Sequence, residues 1–200
     1  MRIVGGRFKG TRLAAPGAAG GGAGHLRPTS DRVREALFNL LSHGDYPPID
    51  GARVLDLFAG TGALGLEALS RGATRAVFID EGAPARGLIR RNIETLGVIG
   101  QTKLWRRNAT RLGPCRGEPY TLVFVDPPYG QGLGERALIS AQVGGWLAPG
   151  AVIILEETAV VTPDLPPVFV PADTRTYGDT AILIYRMAPD TGLGAGAEGG

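Results

Sequence analysis

Cysteine is almost missing from this chain of 200 residues: Cys115 stands alone among Gly113, Pro114 and Gly117, in what reads as a loop. Neither a disulfide nor a cysteine metal site is available, and no metal is expected. Also missing is any run approaching the ~20 consecutive apolar residues of a membrane span. Arg2, Arg7 and Lys9 open the chain with no apolar signal core behind them, so a soluble cytoplasmic protein is expected. With 44% hydrophobic and 20% charged residues, one globular domain with a two- or three-layer core is the expectation.

Acidic residues are scarce at the start. Over residues 1–34, Asp31 alone stands against Arg2, Arg7, Lys9, Arg12, Arg27, Arg32 and Arg34, although the whole chain carries only +2. A basic leading segment on a slightly acidic body suggests a phosphate-contacting appendage on a small-molecule-binding domain. A solvated arm with no specific partner is the plainer alternative.

The run from Arg2 to Leu13 places short β-prone stretches around Gly5, Gly6 and Gly10, which predicts a hairpin whose alternate side chains are basic. Ala14 to Gly24 reads as a linker. Thr29 or Ser30 can cap a helix starting near Asp31, with Val33, Leu37, Leu40 and Leu41 on one face. From Arg53, strands near 53–57, 75–80, 101–106, 120–125 and 150–155 alternate with helices near 63–71, 83–96 and 133–145. That alternation predicts an α/β fold with a mostly parallel sheet covered on both faces. Val168 to Val170 and Thr180 to Tyr185 read as a final antiparallel pair, and the glycine-rich tail 188–200 is expected to be disordered. The divisions are then a basic hairpin and linker over 1–24, a catalytic domain over 25–187, and the tail.

Val54 to Gly65 is an apolar strand, a glycine turn and a helix start. Ligands of open α/β sheets sit at this strand edge. Gly60, Gly62 and Gly65 satisfy the dinucleotide pattern G-x-G-x-x-G, and Asp80 follows at the end of the next strand, so a nicotinamide-dependent oxidoreductase stays open. Asp56 argues the other way. Its charge would repel a pyrophosphate but suits the ammonium end of S-adenosylmethionine. Asp80 can take ribose hydroxyls in either cofactor, and Asn108 with Ala109 can offer a side-chain oxygen and a backbone N–H to an adenine edge. A simple turn is the other reading of Asn108.

Thr121 to Val125 delivers Asp126-Pro127-Pro128-Tyr129 to the same edge. Two prolines fix the backbone and remove two N–H donors, leaving carbonyls that face outward. An exocyclic base amine is a poor nucleophile because its lone pair is delocalised into the ring. Held against the Asp126 carboxylate and the Pro127 carbonyl, the lone pair turns out of conjugation and can attack a sulfonium methyl in line. Either Asp126 or solvent can take the proton. Tyr129 offers a stacking face, and a duplex base must be extruded to reach it. The tetrapeptide alone allows adenine and guanine equally.

The chain resembles the bacterial small-subunit ribosomal-RNA guanine-N2 methyltransferases of the RsmD type from Met1 to about Tyr185. The resemblance rests on Arg2-Ile3-Val4-Gly5-Gly6, the block Leu26 to Asn39, the stretch Leu55 to Gly72, and Asp126-Pro127-Pro128-Tyr129. It implies a Rossmann-like class I methyltransferase with a seven-stranded sheet, one strand antiparallel, and an N-terminal β-hairpin that grips RNA. It further implies S-adenosylmethionine as cofactor and the N2 amine of one guanine in 16S RNA, within an assembling small subunit, as substrate for a monomer. Asp56, Phe58, Ala59, Gly60, Thr61 and Gly62 would line the cofactor pocket; Asp80 would hold the ribose, and Asn108 and Ala109 would flank the adenine. Arg2, Arg7, Lys9, Arg12 and Arg27 are the expected RNA contacts, whereas Arg32 and Arg34 suit RNA or ion pairing equally. Asp80 stands where the family pattern leads one to expect glutamate, and the linker from Pro16 to Gly24 is longer and richer in glycine than expected. Glu156 and Tyr177-Gly178 are candidates for shaping the substrate edge. A non-catalytic RNA-binding assembly factor on the same fold is a third alternative.

Overall fold

A computed structural model describes residues 1–17 and 30–189. Arg27, most of the expected linker and nearly all of the tail lie outside the described residues. The elements run α1 (Asp31–His43), β1 (Arg53–Leu57), α2 (Ala63–Ser70), β2 (Arg75–Ile79), α3 (Ala83–Leu96), β3 (Thr102–Trp105), β4 (Tyr120–Val125), α4 (Leu133–Val143), β5 (Leu147–Thr158), β6 (Phe169–Tyr177) and β7 (Thr180–Met187). They build one seven-stranded sheet ordered β3-β2-β1-β4-β5-β7-β6. β1 to β5 pair in parallel, and β7 runs antiparallel between β5 and β6. The strand order reverses at β1 and β4, the crevice where such sheets bind ligands.

Alternation along each strand divides the core. Val54, Phe78, Leu122, Phe124 and Ile154 face α1, α2 and α3 on one side. Leu55, Val77, Val123, Val125, Ile153 and Leu155 face α4 and Trp146 on the other. Ser30 caps α1 by accepting from the Val33 N–H at 3.3 Å, the position expected from sequence. Every residue of α2 is buried, as an all-round apolar helix requires, because the sheet covers one side and the leading segment and α1 close the other.

The leading segment departs from the regular hairpin that the glycine spacing predicts. Arg2 and Arg12 form a single antiparallel bridge, and residues 6–8 coil into a 3-10 turn. Docking explains the bend. Ser70 Oγ donates to the Gly5 carbonyl at 2.6 Å and accepts from the Phe8 N–H at 3.0 Å, drawing the turn onto the end of α2. Gly6 has φ +72°, and a Cβ there would lie 1.9 Å from the Ser70 carbonyl oxygen, so only glycine fits. Ile3 and Leu13 are buried in the main core, so residues 1–14 close the core as well as presenting charge.

Arg34, left open between RNA and ion pairing, is wholly buried. It pairs with Asp31 at 2.8 Å and Glu67 at 3.7 Å, and donates to the Arg2 carbonyl. Glu67, also without exposure, further accepts from Arg71 at 2.9 Å and from the Val4 N–H at 2.8 Å. Arg34 is therefore structural. Arg32 is exposed.

Candidate active site

The period of two and the register together set out the site. Asp56 pairs with Phe78 on β2 and Phe124 on β4, and Phe124 pairs with Ile154 on β5. Two residues further along each strand, on the same face, stand Asp80, Asp126 and Glu156. Three carboxylates thus form a row across the carboxyl edge, with Asp56 one row deeper. Adjacent strands lie about 4.8 Å apart, so Asp126 and Glu156 are immediate neighbours.

The loop between β1 and α2 carries the strain expected of a site. Phe58, with φ +58°, is the only non-glycine residue at positive φ among the described residues. Gly60 and Gly62 follow at φ +57° and +76°. The Gly60 N–H donates to Asp80 Oδ2 at 2.9 Å and the Gly65 N–H to Asp56 Oδ2 at 3.0 Å. Asp80 Oδ1 accepts from the Gly82 N–H at 2.7 Å. Donors that a dinucleotide pyrophosphate would need are thus satisfied by the protein's own carboxylates, and further anions would meet repulsion. A Cβ on Gly65 would lie 2.5 Å from the Phe78 ring, so this third glycine serves helix–strand packing. Ala59 is buried, as is Thr61, whose carbonyl accepts from Asn92 Nδ2 at 2.9 Å.

Asp126, Pro127, Pro128 and Tyr129 follow β4 directly, with the Asp126 N–H donating to the Leu57 carbonyl at 3.4 Å. Burial, and then the charges of Glu156 and Asp56, hold the Asp126 carboxyl well above the usual carboxylate range. Burial pushes Asp56 up to about 8 even though the Gly65 N–H pulls it down; Asp80 adds to the rise. The Tyr129 hydroxyl donates to Glu156 Oε1, and burial with that bond raises its phenol. Glu157 Oε1 accepts from the Gly130 and Thr158 N–H groups at 2.9 and 2.8 Å, pinning the loop beyond Tyr129. This edge favours a cation. S-adenosylmethionine, with its sulfonium and ammonium, fits this set of carboxyl groups.

Asn108 Oδ1 accepts from the Thr110 N–H at 2.8 Å and the Thr110 hydroxyl at 2.7 Å, so the oxygen expected to meet adenine holds its own turn. Ala109 packs in the core beside it. Arg2, Arg7, Lys9 and Arg12 are exposed, on a segment that reaches the cofactor loop: the Thr61 hydroxyl lies 3.7 Å from Met1 Sδ. Sequence reasoning missed Asn92, a fully buried polar residue among Ile89, Ile93 and Leu96 on the apolar face of α3. It exchanges bonds with the Ala14 N–H and carbonyl at 2.6 and 3.1 Å while holding Thr61. A polar residue on an apolar helix face was the available signal. No helix among the described residues is long and apolar enough to cross a membrane.

Comparison with known proteins bears on this geometry. The family model described as "Conserved hypothetical protein 95" matches residues 1–186. The chain is 38% identical to ribosomal RNA small subunit methyltransferase D of Escherichia coli over 93% of its own length and 89% of that protein. Against the Haemophilus influenzae protein of the same name it is 34% identical, over 82% and 83% of the two chains. The solved structure of Escherichia coli yhhF superposes with a TM-score of 0.78 at 34% identity, covering 94% of this chain and 98% of that one. At 15% identity, an RNA methyltransferase from Salinibacter ruber in complex with S-adenosyl-L-homocysteine shares the fold alone, with a TM-score of 0.60 over 80% and 94% of the chains.

Proposed function

Because this chain belongs to the RsmD family of small-subunit ribosomal-RNA methyltransferases, we propose that it methylates the exocyclic N2 amine of one guanine in 16S RNA with S-adenosylmethionine. The observation that carries this reading is the meeting of Asp126-Pro127-Pro128-Tyr129 with a row of carboxylates at the edge where Gly60 and Gly65 already donate to Asp80 and Asp56. When bound, the cofactor supplies a methyl group on a cationic sulfur. Asp56 faces the positive charge, Asp80 takes ribose hydroxyls with its remaining lone pairs, and the loop from Phe58 to Gly62 sets the pocket wall. Asn108 offers its amide N–H groups and Ala109 its backbone beside the adenine.

Asp126 and the Pro127 carbonyl accept the amine's N–H groups, and Pro128 keeps that carbonyl rigid. Tyr129 stacks on the flipped base. A carboxyl held above its usual range is also a better proton acceptor once ionised, which suits Asp126 for the proton released from the methylated amine. Arg2, Arg7, Lys9 and Arg12, with Arg27, contact RNA phosphates beside the cofactor loop, and the protein acts as a monomer on an assembling small subunit in the cytoplasm.

Small-subunit particles from a strain lacking the enzyme, incubated with methyl-labelled cofactor, are expected to yield N2-methylguanine; labelled N6-methyladenine overturns the base assignment. Tight nicotinamide-dinucleotide binding without S-adenosylhomocysteine binding in calorimetry overturns the cofactor.

A further inference from the structure

We propose that the outer edge of the sheet at β3 is a second RNA-contacting surface, where Lys103, Arg106, Arg107, Arg111 and Arg116 hold backbone phosphates beside the target nucleotide; the inference rests on the ribosomal-RNA reading above. Residues 102–117 carry these five cations and no acid, a charge hidden by the slightly acidic average of the chain beyond residue 34. All five are exposed. Among the described residues none of them makes an ion pair, and the next acid along the chain, Glu118, is paired with Arg75 at 3.9 Å. Two of the cations are held on aromatic rings. The Arg107 guanidinium lies 5.0 Å from the Trp105 ring centroid and 6.0 Å from that of Trp146, and it donates to the Leu112 carbonyl at 2.8 Å. Lys103 meets the Trp105 ring at 6.0 Å.

β3 pairs with β2 alone, and a charged side chain on such an edge guards against pairing with another chain. Lys103 serves that purpose within the strand. The four arginines lie beyond its end at Trp105, so edge protection does not account for them. The Asp80 N–H donates to the Trp105 carbonyl at 3.3 Å, which brings Arg106 out level with the carboxyl groups of the catalytic edge. β2 and β1 separate β3 from β4, setting Arg106 roughly 14 Å from Asp126 at about 4.8 Å per strand. Ahead of β3, Arg7 donates to Gln101 Oε1, so the tip of the leading segment meets the same edge and the cations of two chain segments form one surface. The catalytic edge repels phosphate, so a strand that delivers a base there needs its backbone held to one side. Guanidinium groups suit that task, since each offers several donors to a phosphate, and such contacts fix register without reading sequence.

Binding of the full-length protein to small-subunit particles from a strain lacking the enzyme, followed against salt concentration, tests the surface. Arg106→Ala with Arg111→Ala is expected to weaken binding by on the order of tenfold at about 0.1 M salt and to reduce the slope of log affinity against log salt by about 1.4, with S-adenosylhomocysteine affinity and melting temperature unchanged. Arg175→Ala with Arg186→Ala removes the same charge from β6 and β7 at the opposite end of the sheet and is expected to leave the slope as it was. Equal reductions from the two pairs would show that only overall charge matters, and overturn the inference; so does an unchanged slope for the first pair.

A photoreactive group on Arg111→Cys, in a Cys115→Ser background, identifies the partner directly. Attachment to 16S RNA is expected. Attachment to a ribosomal protein alone, or none at all, overturns the inference. Failure of the guanine reading is distinguishable: wild-type protein that attaches to the RNA and shows the full slope, yet yields no N2-methylguanine, defeats the base assignment and leaves this surface standing.

Discussion

Arg34, Glu67 and Arg71 bring charge of both signs together, whereas Asp56, Asp126 and Glu156 gather carboxyl groups at the sheet edge. In the first group each charge finds an opposite, Arg34 and Glu67 a backbone group as well, and the product is architecture: α1, α2 and the leading segment are locked together. In the second, burial and then neighbouring charge raise Asp126 and Asp56, and what lowers them is a cation or a set of N–H donors brought by ligands. Matched buried charge holds a structure; buried carboxyl groups gathered at a strand edge mark where a ligand of positive charge belongs.

The contrast can be broken from either side. Asp126→Ala is expected to lower kcat by about 10²–10³-fold with little change in melting temperature or cofactor affinity; intact methylation would remove Asp126 from the mechanism. Glu67→Ala should do the reverse, costing about 3–5 kcal/mol in a urea titration because it strands Arg34 in the core. A loss under about 1 kcal/mol would show that water reaches the network.

The pH dependence sharpens the comparison further. Asp56 titrates near 8 when folded and near 3.9 when unfolded. Between those values the folded state keeps a proton that the unfolded state has lost. Stability of the cofactor-free protein from this group is therefore full below about pH 4 and falls as pH rises toward 8, by up to about 1.4 kcal/mol per pH unit. Asp56→Asn should flatten that fall, and should also flatten the rise of S-adenosylmethionine affinity over the same range; parallel curves for the two proteins would place the titration elsewhere. The smallest expected effect belongs to the exposed charges. Arg7→Ala with Lys9→Ala should reduce the salt slope of RNA binding by about 1.4, and an unchanged slope would show that neither residue meets phosphate.

Much of this was legible in the sequence, because β2, β4 and the middle of β5 are near-continuous apolar runs and the Asp-Pro-Pro-Tyr turn ends one of them abruptly. Ser30, the glycine turn and the antiparallel β7 followed from local rules. Less legible was anything decided between elements. The basic residues near the start look alike in sequence, yet Arg34 is buried and Arg32 exposed, a difference that depends on Glu67 arriving from α2. The expected hairpin bends because Ser70 takes hold of Gly5 and Phe8. Asn108 follows its local turn chemistry, a reading that sequence left level with adenine contact. That Glu156 stands beside Asp126 requires the β4–β5 register, which no spacing along the chain contains.

Asn92 joins Ala14 across a sequence separation of 78 residues while gripping Thr61. In the order of synthesis, residues 1–14 cannot complete their seat until α3 has been made, because Ala14 bonds to Asn92. The contacts that seat residues 1–14 and those that hold Thr61 in the cofactor loop meet at one side chain, so both depend on the same non-local pairing.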